Sequence, residues 1–188
     1  PARYVFHHEP EDEVTSIAAA NVACGVGPAE FVKAYRHVYT LLRAQGVGTN
    51  VQIGVCLMGG TFRGGHGGPA VWIPAKLPVD FIASDGYTRA PNSGQKWKGF
   101  VDTFGAGHDF AVARGKPFVI EECGAAEVSA QPALKPAWFD EAAAALAIWK
   151  PSLFMYSHVY AVNFNGQDYK IDTTPDSLAA FRRLVGAL

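Results

Sequence analysis

Lys116-Pro117-Phe118-Val119-Ile120-Glu121-Glu122-Cys123-Gly124 is the stretch that decides the fold. It is a short apolar β-run that opens after a proline and ends abruptly in two carboxylates. A strand with apolar residues at successive positions is buried on both faces, as strands of parallel sheets are. An unpaired charge is too costly inside such a strand, so the carboxylates belong at its mouth, facing a cleft. A second segment repeats the design near the start: Tyr4-Val5-Phe6-His7-His8-Glu9-Pro10.

Working outward, strand and helix patterns alternate. Arg3–His8 reads as a strand and Glu11–Gly27 as a loop, in which Glu11, Asp12 and Glu13 form a solvated acidic run. Ala29–Gln45 reads as a helix, because Phe31, Tyr35, Val38 and Leu42 recur every three or four residues and Gly46 can close its end. Val51–Met58 is a β-branched strand and Gly59–Pro78 a long glycine-rich loop. Phe81–Ser84 is a strand that ends in Asp85-Gly86-Tyr87, and Lys96–Arg114 is a helix. After the strand Pro117–Glu122 come a helix over Pro136–Trp149, a strand over Leu153–Val162 and a helix over Pro175–Val185.

This order predicts an α/β fold with a mainly parallel sheet. An open doubly wound sheet would carry a glycine-rich first turn for a nucleotide; here that turn is His7-His8-Glu9-Pro10-Glu11. A (β/α)8 barrel instead places functional residues at the carboxyl ends of several strands, which fits Glu9, Asp85, Tyr87, Glu122 and the His158–Asn163 stretch. Five strands are legible, and full barrels run to about 250 residues. The expectation is therefore the C-terminal portion of a parallel (β/α) barrel, about strands 4 to 8, with residues 1–188 as one partial domain and the first strands upstream of Pro1.

Composition sets the bounds. The chain has 188 residues, 49% hydrophobic and 18% charged, enough for one domain with a core. A net charge of −1 favours neither nucleic acid nor an anionic membrane, and no apolar run approaches the roughly 20 residues of a membrane span. Cys24, Cys56 and Cys123 make no metal-ligand spacing and no CxxC pair; Cys56 reads as a small core residue. No metal or organic cofactor is expected. The glycines of residues 59–68 lack the Lys-Ser/Thr of a phosphate-binding loop.

Two carboxylates on separate strands of one sheet are what glycoside hydrolysis needs, one as proton donor and one as nucleophile. Alternation along the strand Pro117–Glu122 puts Phe118, Ile120 and Glu122 on one face and Val119 and Glu121 on the other, so only one of the two acids can point inward.

The ordered set resembles the C-terminal part of a clan A glycoside hydrolase, closest to the family 26 β-mannanase-like enzymes. In that clan an acid/base Glu ends the fourth strand, often before Pro, as in His8-Glu9-Pro10. The nucleophile Glu ends the seventh strand in a Lys-Pro-…-Glu-x-Gly pattern, as in Lys116-Pro117 through Glu122-Cys123-Gly124. An Asp-Gly-Tyr at the sixth strand matches Asp85-Gly86-Tyr87. The chain departs from the family at Cys123, where an aromatic residue is common, and on the last strand, where Tyr156, His158 and Tyr160 stand in place of a floor Trp.

The resemblance implies a retaining hydrolase of β-glycosidic bonds in poly- or oligosaccharides, with Glu9 as acid/base and Glu122 as nucleophile. His8, Asp85 and Tyr87 would contact substrate or orient the nucleophile; Trp72, Trp97, His158 and Tyr160 are candidate sugar contacts. Trp138 and Trp149, at helical spacing, belong to the core. The implied partner is a carbohydrate substrate, with a second chain or another copy completing the barrel wall. The rival readings are a non-catalytic carbohydrate-binding barrel and an inactive barrel fragment.

Overall fold

The computed structural model describes residues 2–12, 27–48, 50–90, 96–162 and 166–188. The expectations for Glu13, Cys24, Asn163 and most of the loop over residues 11–27 fall outside them.

Four strands form one sheet in the order β1-β2-β3-β4: β1 Ala2–Val5, β2 Val51–Met58, β3 Phe81–Thr88 and β4 Phe118–Ala125. β1 runs parallel to β2, with Ala2 opposite Val51, and β2 runs parallel to β3, with Met58 opposite Asp85. Parallel neighbours need crossovers, and helices supply them. α1 Pro28–Ala44 follows β1, the single turns α2 Gly59–Phe62 and α3 Pro69–Trp72 follow β2, and α4 Phe100–Ala113 follows β3. α5 Leu134–Trp149 follows β4; a two-stranded antiparallel pair, β5 Tyr160–Ala161 with β6 Gln167–Asp168, precedes α6 Pro175–Gly186.

The chain divides into two compact units. The first comprises Pro1–Asp85 and Ala106–Val119. Its buried residues include Phe31 and Tyr35 of α1 and Ile53, Val55, Leu57 and Phe81 of the sheet. The Tyr35 hydroxyl donates to the Ile53 carbonyl at 3.2 Å, which satisfies a buried phenol. Gly54 is dictated by packing: a Cβ there would lie 2.4 Å from the Phe81 ring. Arg43, near the end of α1, pairs with Asp80 and donates to the carbonyls of Val47, Gly48 and Val51 at 2.9–3.1 Å, closing the turn into β2.

The second unit comprises Gly86–Gly105 and Ile120–Leu188. Its core is aromatic. Phe100 meets Trp138 edge-on at 5.1 Å and stacks on Trp149 at 5.7 Å, while Tyr156 packs between Phe139 and Phe181. Two helix starts are capped. Glu141 accepts from the Phe100 and Val101 amides at 2.8 and 3.2 Å, and Thr174 accepts from the Ser177 amide at 3.0 Å.

Three expectations need correction. Leu153–Val162 is no regular strand: it joins β4 through a parallel bridge, Ile120 opposite Phe154, flanked by bonds Ile120 N–Leu153 O and Met155 N–Ile120 O at 3.0 Å. Its apolar residues Met155, Val159 and Val162 are exposed rather than buried, which is why their β-like composition misleads. β3 runs on through Asp85-Gly86-Tyr87 to Thr88, so this triplet is strand and not turn. Residues 59–78 contain two single helical turns and a 3-10 turn, Gly65–Gly67, instead of a featureless loop.

Candidate active site

β1 ends at Val5, and the chain then turns sharply: His7 and Glu9 both have left-handed backbones, with φ of 53° and 46°. The Asp12 amide closes the turn on the Glu9 carbonyl at 3.0 Å. Left-handed φ at two non-glycine residues costs on the order of 1 kcal/mol each and persists only where surrounding contacts fix it. Two residues beyond Glu9, Glu11 links this turn to the end of β2. It has no exposed surface, and its Oε1 accepts from the Met58 amide at 2.6 Å and the Thr61 hydroxyl at 2.9 Å. The solvated acidic run expected from the sequence is therefore corrected at Glu11; Asp12 is exposed.

Glu9 is half-buried, and its carboxyl is pushed up from 4.5 to about 7. Desolvation is the main cause; Asp85 raises it further, His8 opposes, and Glu11 and Asp12 add smaller upward pushes. Asp85 is itself 1% exposed and pairs with the His8 imidazole. Glu9, His8 and Asp85, three of the residues singled out in the sequence, thus lie together in the first unit. At neutral pH this site offers a carboxylic acid that can donate a proton.

The second unit holds the other acid. Glu122 lies on β4 and is half-buried; its Oε2 accepts a hydrogen bond from the Tyr87 hydroxyl at 2.8 Å. The same hydroxyl is 2.6 Å from the Ser157 Oγ. Tyr87 has one proton, and it goes to Glu122, so Ser157 is the donor in the second bond. Gly124 makes room for this arrangement: a Cβ there would lie 2.8 Å from the Tyr87 ring and 2.9 Å from the Tyr169 ring. The Gly of the Glu-x-Gly pattern is thereby explained by packing. Nothing in the sequence pattern marks Ser157. It is held in place by its amide, which donates to the Cys123 carbonyl at 2.8 Å.

The candidate sugar contacts separate. Trp72 has no exposed surface; it packs edge-on to Phe31 at 5.9 Å, and its indole donates to the His66 carbonyl. It presents no face to a sugar, and the platform role expected of it is withdrawn. Trp97 is half-buried against the cluster of Ala90, Ala126, Val128 and Tyr169. Tyr160 is 51% exposed, with the Lys170 ammonium 5.8 Å from its ring centre. His158 is exposed, and its Nδ1 accepts from the Ile171 amide at 3.1 Å. Cys56 and Cys123 are both buried; Cys123 lies 3.2 Å from the Met155 carbonyl.

A polar cavity of about 600 Å³ opens in the second unit, among Glu127, Gln167, Asp168, Lys170, Asp172 and Thr173. Beneath it lies Lys135, fully buried, its ammonium bonded to the Asp168 and Lys170 carbonyls and the Thr173 hydroxyl. Burial pushes this ammonium down from 10.5 to about 8, although Glu127 and Asp168 pull the other way.

No family model matches the chain. In sequence it is similar to Endoglucanase H of Acetivibrio thermocellus, with 27% identity over 168 residues. That match takes in 84% of this chain and only 17% of Endoglucanase H, so the chain spans about a sixth of that relative's length. Among solved structures it is similar to an engineered protein, with a TM-score of 0.56 and 17% identity over 90% of this chain and 37% of that one. It is also similar to a GH128 (subgroup VI) exo-β-1,3-glucanase from Aureobasidium namibiae, with a TM-score of 0.52 and 12% identity over 94% of this chain and 60% of that one. The chain has the α/β fold of part of a (β/α) barrel, shared with glycoside hydrolases of that architecture.

Proposed function

We propose that the chain carries the catalytic half of a retaining glycoside hydrolase of the clan A type. Glu9 is the acid/base and Glu122 the nucleophile. Glu9 gives its proton to the departing glycosidic oxygen as the Glu122 carboxylate attacks the anomeric carbon. The bond to the leaving group breaks, and a glycosyl ester forms on Glu122. Water then attacks the same carbon, Glu9 takes its proton, and the free sugar leaves with Glu122 restored.

The observation that carries this reading is the Glu9 carboxyl at about 7, on the turn that follows a parallel strand. A general acid must hold its proton at working pH, and burial beside another carboxylate is how proteins arrange that. The Tyr87 bond to Glu122 supports the second role, because it fixes the carboxylate that must attack. His8 and Asp85 remain the proposed neighbours of the acid, and Trp97, His158 and Tyr160 the proposed sugar contacts. The likeness to Endoglucanase H makes a glucan the first substrate to try, ahead of mannan; the family 26 affinity rests on the motifs alone.

The test is a screen of aryl glycosides and of glucan, xylan and mannan polymers with the wild-type chain, Glu9→Gln and Glu122→Ala. Turnover by the wild type that vanishes in Glu122→Ala, with binding retained, supports the proposal. Binding without turnover in all three indicates a carbohydrate-binding barrel instead.

A further inference from the structure

We propose that Glu11 is a positioning residue: its buried carboxyl ties the turn after β1 to the end of β2 and so holds Glu9 in its partly dehydrated place. The proposal deepens the reading of Glu9 as acid/base and rests on it for its kinetic arm.

Glu11 lies two residues beyond Glu9, on a turn that contains two left-handed residues and is closed by the Asp12 amide. A turn of that kind has other conformations open to it, and one more anchor selects among them. Glu11 reaches partners 47 and 50 residues away in sequence: the Met58 amide, last of β2, and the Thr61 hydroxyl on the following helical turn. The Met58 amide is thereby satisfied by a side chain where the strand ends.

Burying a carboxyl completely is costly, and Glu11 does so with Oε2 given no hydrogen-bond partner among the described residues. A carboxyl here does two things at once. It anchors the turn, and it places acidic bulk beside Glu9, where water would otherwise solvate that group. Its own carboxyl is pushed up, chiefly by burial, and the groups facing Glu9 are Asp85, His8, Glu11 and Asp12.

The test reads the Glu9 carboxyl directly, by ¹³C NMR titration of side-chain-labelled protein, alongside kcat and KM on whichever substrate the screen identifies. In Glu11→Ala the turn loosens and water reaches Glu9. Its titration should fall by about one unit or more toward the ordinary range. The value of kcat should drop about tenfold or more, with KM changed less than about threefold. Glu11→Gln, whose amide oxygen can accept the same two bonds, should rescue most of the kcat lost in Glu11→Ala. If Glu11→Ala is poorly folded, Thr61→Val, which deletes one of the two bonds, should move the Glu9 titration the same way by a smaller amount. An unmoved Glu9 titration in the alanine variant, or in Thr61→Val where that variant replaces it, overturns the proposal; so does a glutamine variant as impaired as alanine. The NMR arm does not depend on turnover. If Glu9→Gln retains full activity while Glu11→Ala still shifts the Glu9 titration, the acid/base reading fails and the positioning role stands.

Discussion

Glu9→Gln should make the protein more stable at pH 8 while abolishing its proposed activity. The magnitude follows from the titration of Glu9, raised from 4.5 to about 7. Below pH 4.5 both folded and unfolded chains hold the proton, and Glu9 costs nothing. Between 4.5 and 7 the unfolded chain has released it while the folded chain retains it, so stability falls as pH rises. Above 7 the full cost is present. The two values differ by 2.5 units, a ceiling of about 3.4 kcal/mol at about 1.36 kcal/mol per unit. Glu9 is only half-buried, so solvent screening reduces this to roughly 1–2 kcal/mol. Glutamine has no charge to desolvate. Urea denaturation at pH 8 should therefore show a midpoint raised by roughly 0.5–1 M for a slope of about 2 kcal/mol/M, and the gain should disappear at pH 4. In the wild type, the alkaline limb of kcat/KM should fall near pH 7, since only protonated Glu9 can donate. An equal gain at both pH values, or a loss at pH 8, would refute the reasoning, because neither follows from a dehydrated carboxylate.

Other consequences can be measured separately. Tyr87→Phe removes the donor to Glu122 and should lower kcat by about 10- to 100-fold, on the scale of one hydrogen bond to a charged group, with melting temperature little changed. Gly54→Ala forces a methyl against the buried Phe81 ring and should cost about 1–3 kcal/mol in denaturant unfolding. Lys135 is charged at a cost below about pH 8, and that cost fades as pH rises toward 10.5 and the folded chain gives up the proton first. The stability of the wild type relative to Lys135→Met should therefore rise between those pH values; a fall would mean that the buried ammonium keeps its proton.

Much of this fold is legible in the sequence, and the parts that are not have physical reasons. β2 is found at its observed limits, Val51–Met58, because its interior is buried and no polar residue interrupts it after Gln52. α1 is found within a residue at each end, since Phe31 and Tyr35 mark its buried face. β3 reads short because Asp85 and Gly86 look like a turn. In the structure Asp85 pairs with His8, and Gly86 is required because a Cβ would lie 2.4 Å from the Thr103 methyl. Leu153–Val162 carries strand-like composition without strand-like burial.

The site shows the same division. His8 and Glu9 draw attention in the sequence because carboxylates and imidazoles just past a strand have few structural uses. Glu11 was hidden by its neighbours, Asp12 and Glu13, which make it look like one member of a solvated run. Its donors, Met58 and Thr61, are distant in sequence, and a backbone amide leaves no mark on composition. Ser157 carries no sequence signal for the same reason: it is a small polar residue whose partner is a tyrosine 70 positions earlier. Trp72 misleads because an aromatic residue in a glycine-rich stretch suggests exposure, whereas Phe31 and the His66 carbonyl bury it.

The central claim, that Glu122 is the attacking carboxylate of a retaining hydrolase, is tested most directly by trapping the glycosyl-enzyme. The protein would be incubated with a 2-deoxy-2-fluoro glycoside of the sugar turned over in the screen, digested, and sequenced by mass spectrometry. The account predicts a single sugar adduct, on Glu122, that forms more slowly in Glu9→Gln. An adduct on Glu121 or Glu9, or turnover that inverts the anomeric centre with no adduct, would contradict it.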